Sequence, residues 1–191
     1  MKNKKFTTLM LCRAGITAAL YAVLTWAFGP LAFGPIQIRP SEALTILPLF
    51  YVESIPGLFV GCMLANLMSG YGLYDIFLGS LATLLAAALT YGAGRLIKNN
   101  PIKLIVGGIF PVICNAFIIP AVWILAGMEG VVYWTEFAIM ALNEAIWVYA
   151  IGTPLFFSFV ALRKKGVKAL SSCEFSAGKE GSETGNRERI K

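Results

Sequence analysis

The sequence contains no histidine. Ser/His/Asp and Cys/His catalysis is therefore excluded, as are histidine-ligated zinc and haem. Its four cysteines, Cys12, Cys62, Cys114 and Cys173, lie far apart, and no CxxC pair exists to hold a zinc ion. The nucleotide-binding pattern GxxxxGK[ST] is also absent, so we expect no ATP hydrolysis through a P-loop. The sequence predicts no enzyme, no metal site and no bound cofactor.

Charged residues are scarce: they make up 14% of the 191 residues, against about 25% in an average soluble domain. Apolar residues make up 58%, and the mean hydropathy is +0.73. A soluble globule of this length could not bury that much apolar surface. The sequence therefore predicts a single all-α integral membrane domain. Its partner is the lipid bilayer, and the net charge of +6 does not indicate a nucleic-acid partner.

Six apolar runs predict six helices. The runs are Ala14–Phe33, Ala43–Val52, Ile55–Met68, Ile76–Leu96, Ile102–Gly127 and Phe137–Leu162. A membrane-spanning helix needs about 20 residues, so the second and third helices are too short to span alone. Such segments are tolerated at membrane depth only where protein or a cavity covers them. The first run is too long for a signal peptide and has no AxA cleavage site.

The distribution of positive charge predicts the orientation. Placing the N-terminus in the cytoplasm puts 15 of the 16 basic residues on the cytoplasmic side, and Arg39 is the exception. We therefore expect a multi-pass protein with both termini in the cytoplasm. The expected organisation is a basic N-terminus over residues 1–13, a membrane domain over residues 14–165 and a disordered tail over residues 166–191, where serine, glycine and charge predominate.

Ionisable residues at membrane depth cost about 2.5–3.5 kcal/mol each on insertion scales, so they need a reason. Arg39 and Glu42 lie in a proline-flanked loop that could fold over a pocket or simply form an external ion pair. Asn66 lies inside the third run and Asn115 midway along the fifth. Either amide could contact a ligand or join two helices.

The sixth helix carries the strongest polar signal. Glu136, Met140, Asn143 and Trp147 are spaced by four, three and four residues, so they share one face. Glu144 lies beside them, roughly 12 Å below the outer end at 1.5 Å per residue. A carboxylate at that depth marks a candidate functional site, although it could also be protonated or bonded within the helix.

Acidic residues accumulate on the predicted outer side. Tyr74 and Asp75 mark the entry to the fourth helix, where Asp75 could bind a ligand or cap the helix. Glu42, Asp75, Glu136 and Glu144 thus collect there with Glu129 against the single Arg39. This pattern predicts a pocket for a flat, polar, cationic ligand, because carboxylates and amides accept N–H donors and aromatic faces can stack on it. The predicted binding residues are Arg39, Glu42, Asn66, Tyr74, Asp75, Asn115, Glu136, Asn143, Glu144 and Trp147.

Small residues recur every four positions in the first helix, at Ala14, Ala18 and Ala22. This spacing lets another helix approach closely. The approaching helix could belong to a partner protein or to this chain.

Several stretches resemble one family of membrane proteins. They are Phe33–Leu44 (FGPIQIRPSEAL), Ala65–Leu67, Gly72–Ile76, Leu81–Leu85, Asn115–Ala116 and Asn143–Ala145. With six helices, two of them short, the chain resembles the substrate-specificity subunits of energy-coupling-factor (ECF) transporters. Among these it is most similar to the queuosine-precursor transporter family (QueT), from about Ala14 to Leu162.

The resemblance implies a function. A substrate-specificity subunit in a bacterial cell membrane would capture a 7-deazaguanine, such as the 7-aminomethyl form, from outside. It would dock through Ala14, Ala18 and Ala22 on a membrane coupling subunit driven by two ATPases. A subunit for another vitamin or nucleobase-like solute, or an autonomous secondary transporter, are the alternatives.

The resemblance and the acidic pocket together lead to a hypothesis for the site. The loop over residues 34–42 would be a lid, and Glu144, Asn115 and Asn66 would orient the ring. Asp75 or Glu136 would meet the ammonium group of an aminomethyl ligand, and Trp147 or Tyr74 would stack on the ring.

Overall fold

A computed structural model describes residues 8–34, 36–70 and 72–165 of the chain. Over these residues it has five α-helices, one 3₁₀ helix and no strand. They are α1 (Thr8–Phe28, continued by the 3₁₀ turn Gly29–Ala32), the central 3₁₀ segment (Pro40–Leu49), α2 (Ser54–Asn66), α3 (Gly72–Leu96), α4 (Asn100–Leu125) and α5 (Tyr133–Lys164). The prediction of six helices in an all-α fold is confirmed.

Four of these helices are long and apolar enough to cross a membrane: α1 with its 3₁₀ turn, α3, α4 and α5. The central 3₁₀ segment and α2 are shorter, with 10 and 13 residues. The prediction of an integral membrane protein with a short second and third helix is thus confirmed. Helix α1 begins at Thr8 rather than at Ala14. The predicted disordered tail, 166–191, lies outside the described residues.

The central 3₁₀ segment is enclosed by the other helices. It contacts α1, α2, α3, α4 and the turn at Ile146–Ile151 of α5, and every residue from Ser41 to Leu49 is buried. Pro40 occupies the first helical turn, where a missing N–H costs nothing. Pro48 lies within the segment, and its ring and missing N–H oppose a regular α-helix there. Ten residues of 3₁₀ helix are unusually many.

The start of this segment corrects the predicted lid. The sequence placed residues 34–42 in one loop, but Pro40, Ser41 and Glu42 belong to the buried 3₁₀ segment. Ser41 is joined to α1 by a hydrogen bond with Thr25 of 2.8 Å between the hydroxyl oxygens. Only residues up to Arg39 therefore form the connection after α1.

Glycines make room for the far end of the segment. A Cβ atom at Gly94 of α3 would lie 2.9 Å from the Cα of Leu49, and one at Gly107 of α4 would lie 2.5 Å from Leu49 Cδ2. Both distances are below ordinary van der Waals contact. The Thr90 hydroxyl donates to the Gly107 carbonyl at 2.9 Å and joins α3 to α4 beside this contact.

Helices α1 and α2 pack closely through small residues. A Cβ atom at Gly57 would lie 2.7 Å from the Ala14 carbonyl oxygen, and one at Gly61 would lie 2.9 Å from that of Ala18. Small residues four apart permit this approach of two backbones. Ala18 and Ala22 are buried, at 7% and 4% exposure. The alanine spacing that the sequence offered for a partner protein is thus used for packing inside this chain.

An ion pair joins α1 to the start of α2. Arg13 Nη1 lies 2.6 Å from Glu53 Oε1, and both side chains are largely buried. The Arg13 guanidinium also lies over the Tyr51 ring, 5.7 Å from its centroid.

The compact unit formed by these helices ends at Phe156. A second unit begins at Phe157 and continues α5 to Lys164.

We expect Gly61→Ala to destabilise the protein by about 1–3 kcal/mol, the usual cost of overpacking. The added methyl group would meet the Ala18 backbone, which cannot rotate away. Gly92→Ala is the control, because a Cβ there has no atom within 4 Å. Thermal unfolding in detergent should show a lower midpoint for Gly61→Ala alone. Equal midpoints for the two variants would contradict the close α1–α2 packing.

Candidate functional site

Six of the predicted binding residues form one buried polar cluster. Arg39 and Glu42 lie at the start of the central 3₁₀ segment, the other four lie in four different helices, and none of the six is more than 6% exposed. The polar cluster consists of Arg39, Glu42, Asn66, Asp75, Asn115 and Glu144. The fold thus brings together side chains that are up to 105 positions apart in the sequence, from Arg39 to Glu144.

Arg39 occupies the middle of the cluster. Its Nε donates to the Ala32 carbonyl at 2.8 Å and its Nη2 donates to Asn66 Oδ1 at 3.2 Å. The guanidinium carbon lies 5.0 Å from the centroid of the Phe33 ring. Asn66 in turn donates to the Asp75 carbonyl at 2.9 Å. The guanidinium is therefore held by amide oxygens and an aromatic face, rather than by a carboxylate.

Two carboxyl groups meet on the other side of the cluster. Glu42 accepts a hydrogen bond from the Tyr21 hydroxyl, and its carboxyl group interacts electrostatically with that of Glu144. Asn115 Nδ2 donates to Glu144 Oε1 at 2.7 Å, which fixes the second carboxyl. Adjacent buried carboxylates repel each other, so a cation or several N–H donors at this position would be stabilising.

Several buried polar atoms here have no hydrogen-bond partner among the described residues. They are Gln37 Nε2, Glu42 Oε2 and both carboxylate oxygens of Asp75. A buried polar atom without a partner costs about 1–3 kcal/mol. These atoms comprise one donor and three acceptors, and their burial is costly unless other groups pair with them.

Gln37 is a candidate that sequence reasoning missed. It is 4% exposed, and its side-chain nitrogen lacks a partner in the described part of the chain. The available signal was its position two residues before Arg39 in an otherwise apolar connection. The sequence prediction selected ionisable residues because their burial in a membrane is costly. An amide in a loop has no comparable burial cost, so Gln37 was not selected.

Asn143 and Trp147, two further predicted binding residues, are bonded within the chain in the described structure. Asn143 Nδ2 donates to the backbone carbonyl of Gln37, and Asn143 Oδ1 accepts from Trp147 Nε1 at 3.0 Å. These bonds tie α5 to the connection that carries Arg39. In the described structure the two side chains therefore hold that connection.

The remaining two predicted residues lie away from these contacts. Tyr74 is 53% exposed and lines an open cleft of about 540 Å³ that is bordered by Gly70, Gly72, Leu73, Ala126, Gly127 and Met128. Glu136 is half-buried in the first turn of α5. In the described part of the chain, no hydrogen bond joins either side chain to the polar cluster.

Both acidic sides of the cluster lie beside irregular helix turns. Helix α3 has a π-helical turn at Asp75–Gly79, and α5 has one at Ile146–Ile151, two residues after Glu144. Such turns are frequent at functional sites because they re-aim side chains locally. Within the described ranges, no group of three acidic or cysteine side chains is arranged to hold a metal ion.

We expect Asn66→Ala to destabilise the ligand-free protein by about 1–3 kcal/mol, because it leaves Arg39 and the Asp75 carbonyl without their shared partner. Asn99→Ala is the matched control, since Asn99 is exposed and its side chain makes no capping hydrogen bond. Thermal unfolding of both variants measures the difference. A midpoint for Asn66→Ala equal to that of the wild type would show that the bridge carries no stability.

Comparisons with known proteins agree with this architecture. The model of the family described as "QueT transporter" matches residues 11–160. A "Queuosine precursor transporter QueT" from Lactococcus lactis subsp. cremoris (strain MG1363) is 36% identical over 88 residues, which are 45% of this chain and 52% of that protein. The match thus spans about half the length of this relative. No solved structure matches the chain.

The family match covers the described helices almost completely, and every residue of the polar cluster lies within it. The predicted resemblance is confirmed, and so is the expectation of a transporter rather than an enzyme. The chain belongs to the QueT transporter family.

Proposed function

We propose that this protein captures a queuosine precursor, a 7-deazaguanine such as the 7-aminomethyl form, from outside a bacterial cell. One observation carries the proposal: buried acceptor atoms of Glu42 and Asp75 and a buried donor of Gln37 lack partners in the described chain. A 7-deazaguanine has a ring carbonyl that accepts a hydrogen bond and a ring edge with several N–H donors. The name of the Lactococcus lactis relative supports the same class of cargo.

The acid pair suits the donor edge of the ring. A guanine-like edge presents a ring N–H beside an exocyclic amino group, and carboxylate oxygens accept from both. Glu42 and Glu144 lie side by side, and Asn115 fixes Glu144. Gln37 Nε2 is the matching donor for the ring carbonyl, since its position is set by the bond from Asn143 to its backbone.

The charge distribution supports an orientation with both termini in the cytoplasm. Arg13, Arg95 and Lys103 lie at one end of the helices, near the start of α1, the end of α3 and the start of α4. Cytoplasmic ends of membrane helices carry an excess of Lys and Arg. Asp75 lies in the first turns of α3, at the opposite end of that helix from Arg95, so this orientation would place Asp75 toward the outer side.

Energy for uptake would come from an ECF coupling subunit and two ATPases. The chain itself has no P-loop, which is consistent with a binding subunit. The predicted docking helix is α1. Because Ala18 and Ala22 are buried, the available small residues on its exposed face are Gly15 and Ala19. A Cβ at Gly15 meets no atom within 4 Å, so this face is open to a partner.

We expect Glu144→Gln to weaken binding of 7-aminomethyl-7-deazaguanine by about 1.5–3 kcal/mol, because a charge-assisted hydrogen bond is lost. Isothermal titration of the purified protein in detergent measures this change. Glu129→Gln, an exposed loop acid, is the control. Unchanged affinity in a folded Glu144→Gln protein would remove Glu144 from the site.

The same titration tests the cargo. We expect submicromolar binding of a 7-deazaguanine and none of riboflavin or thiamine. A folded wild-type protein that binds no 7-deazaguanine, or prefers another solute of the panel, would overturn the proposed cargo.

We expect Ala19→Leu to abolish copurification with the coupling subunit and its ATPases while ligand binding is retained, because the bulky side chain fills the open face of α1. Ala138→Leu, at an exposed position of α5, is the control. Ala18→Leu is unsuitable, since it would disrupt the packing of α1 on α2.

Retained assembly of Ala19→Leu would contradict docking at this face. Ligand uptake by vesicles that contain this chain alone would instead favour an autonomous transporter.

A further inference from the structure

Asp75 is a buried acid whose carboxylate has no hydrogen bond and no ion pair in the described structure. Its side chain is 0% exposed, and neither carboxylate oxygen has a hydrogen-bond partner among residues 8–34, 36–70 and 72–165. In that part of the chain the ion pair within 4.0 Å is Arg13 with Glu53. A lone carboxylate at such a place in a membrane protein is costly and marks a site where a partner is expected.

Arg39 is the nearest candidate counter-ion, and it is otherwise engaged. It interacts electrostatically with Asp75, but within the described structure it donates its hydrogen bonds to the Ala32 carbonyl and to Asn66. The guanidinium therefore makes the position tolerable for a carboxylate without occupying its oxygens. Those oxygens stay available to a ligand.

Helix capping does not account for Asp75 either. An acid in the first turn can accept from free backbone N–H groups and benefits from the helix dipole. Here no backbone N–H of the described residues donates to the Asp75 carboxylate. The dipole of α3 favours the negative charge, but it supplies no hydrogen bond to it.

The carboxylate is held in place by its surroundings. Asn66 fixes the Asp75 backbone through its carbonyl at 2.9 Å. The π-helical turn continues to Gly79, where an added Cβ would lie 2.9 Å from Asp75 Oδ1 and 2.9 Å from Asn66 Nδ2. Glycine is the one residue type at position 79 that leaves room for the carboxylate. The position of the carboxylate is therefore preorganised.

We propose that Asp75 receives the ammonium group of the ligand and so selects the cationic 7-aminomethyl precursor over neutral 7-deazaguanines. This inference rests on the proposed function. In the proposed site the ring edge binds at Glu42 and Glu144. Asp75 belongs to the same cluster through Asn66, which accepts from Arg39 and donates to the Asp75 carbonyl. An arm that extends from the ring toward Asn66 would bring its ammonium group to the free oxygens of Asp75. A neutral arm, such as a nitrile, has no donor for them.

The test compares two ligands on one isosteric variant. Asp75→Asn keeps the side-chain shape and removes the charge. Isothermal titration of the full chain in detergent gives the Kd of 7-aminomethyl- and 7-cyano-7-deazaguanine. We expect the wild type to prefer the aminomethyl form, and Asp75→Asn to weaken that form by roughly ten- to a hundredfold, as for loss of a charge-assisted hydrogen bond. The Kd of the cyano form should change by less than about threefold.

Gly79→Ala provides a second variant that keeps the carboxylate and displaces it. It should reduce the preference for the aminomethyl form in the same direction, and it serves as the test if Asp75→Asn does not fold. Glu129→Gln, which removes an exposed acid, should leave both affinities unchanged.

Equal weakening of both ligands by Asp75→Asn would assign Asp75 a structural role and overturn the proposal. Equal wild-type affinity for the two ligands would overturn it as well. In both cases the 7-deazaguanine cargo would stand. A folded wild-type protein that binds neither ligand would overturn the cargo first, and this inference with it.

Discussion

The structure depends on the enclosure of a short 3₁₀ segment inside a bundle of membrane helices. Residues Pro40–Leu49 are too few to cross a bilayer, and lipid would leave their polar groups without partners. Surrounding helices supply those partners. Thr25 of α1 bonds Ser41, and glycines of α3 and α4 admit Leu49. Because the segment begins at Pro40, this enclosure also draws Arg39 and Glu42 into the protein interior.

The interior charges follow from that placement. Glu42, Asp75 and Glu144 are buried in the same cluster as a single guanidinium, that of Arg39. In a medium of low dielectric constant, uncompensated charge is expensive, so these acids destabilise the fold unless donors or a cation accompany them. In the proposed site, the feature that costs stability would also provide affinity, because a bound cation would reduce repulsion among the carboxylates and complete their hydrogen bonds.

The sequence predicted the parts that depend on local properties. The lengths of the apolar runs predicted the helices, including the two short ones. The cost of burying ionisable groups indicated that Arg39, Glu42 and Glu144 needed a structural or functional reason. What it could not show was which elements face each other. The spaced alanines of α1 pack against Gly57 and Gly61 of α2, which lie 39 or more positions later in the sequence. The small residues of either helix, considered alone, would permit close approach of a helix from a partner protein or of another helix of this chain.

Contacts between distant segments also explain which features of the candidate site the sequence could not show. Asn143 shares a helix face with Glu136 and Trp147, which suggested a ligand contact, but its amide bonds the Gln37 backbone 106 residues earlier. Periodicity predicts which side chains share a face and carries no information on what approaches it. The register of the connection before the 3₁₀ segment decided the outcome, because it put a carbonyl beside Asn143 and buried the Gln37 side chain.

The hydrogen bonds of Arg39 decide whether the acidic groups remain available. A guanidinium paired with a carboxylate would form a strong two-point contact and would occupy the acceptors that a ligand needs. The Ala32 carbonyl and Asn66 Oδ1 instead take its Nε and Nη2, and Phe33 covers one face. The positive charge thus lowers the cost of the nearby acids through space, while Asp75 and one oxygen of Glu42 keep free lone pairs. Neutral partners of Arg39 thus separate electrostatic stabilisation of the acids from occupation of their acceptor atoms.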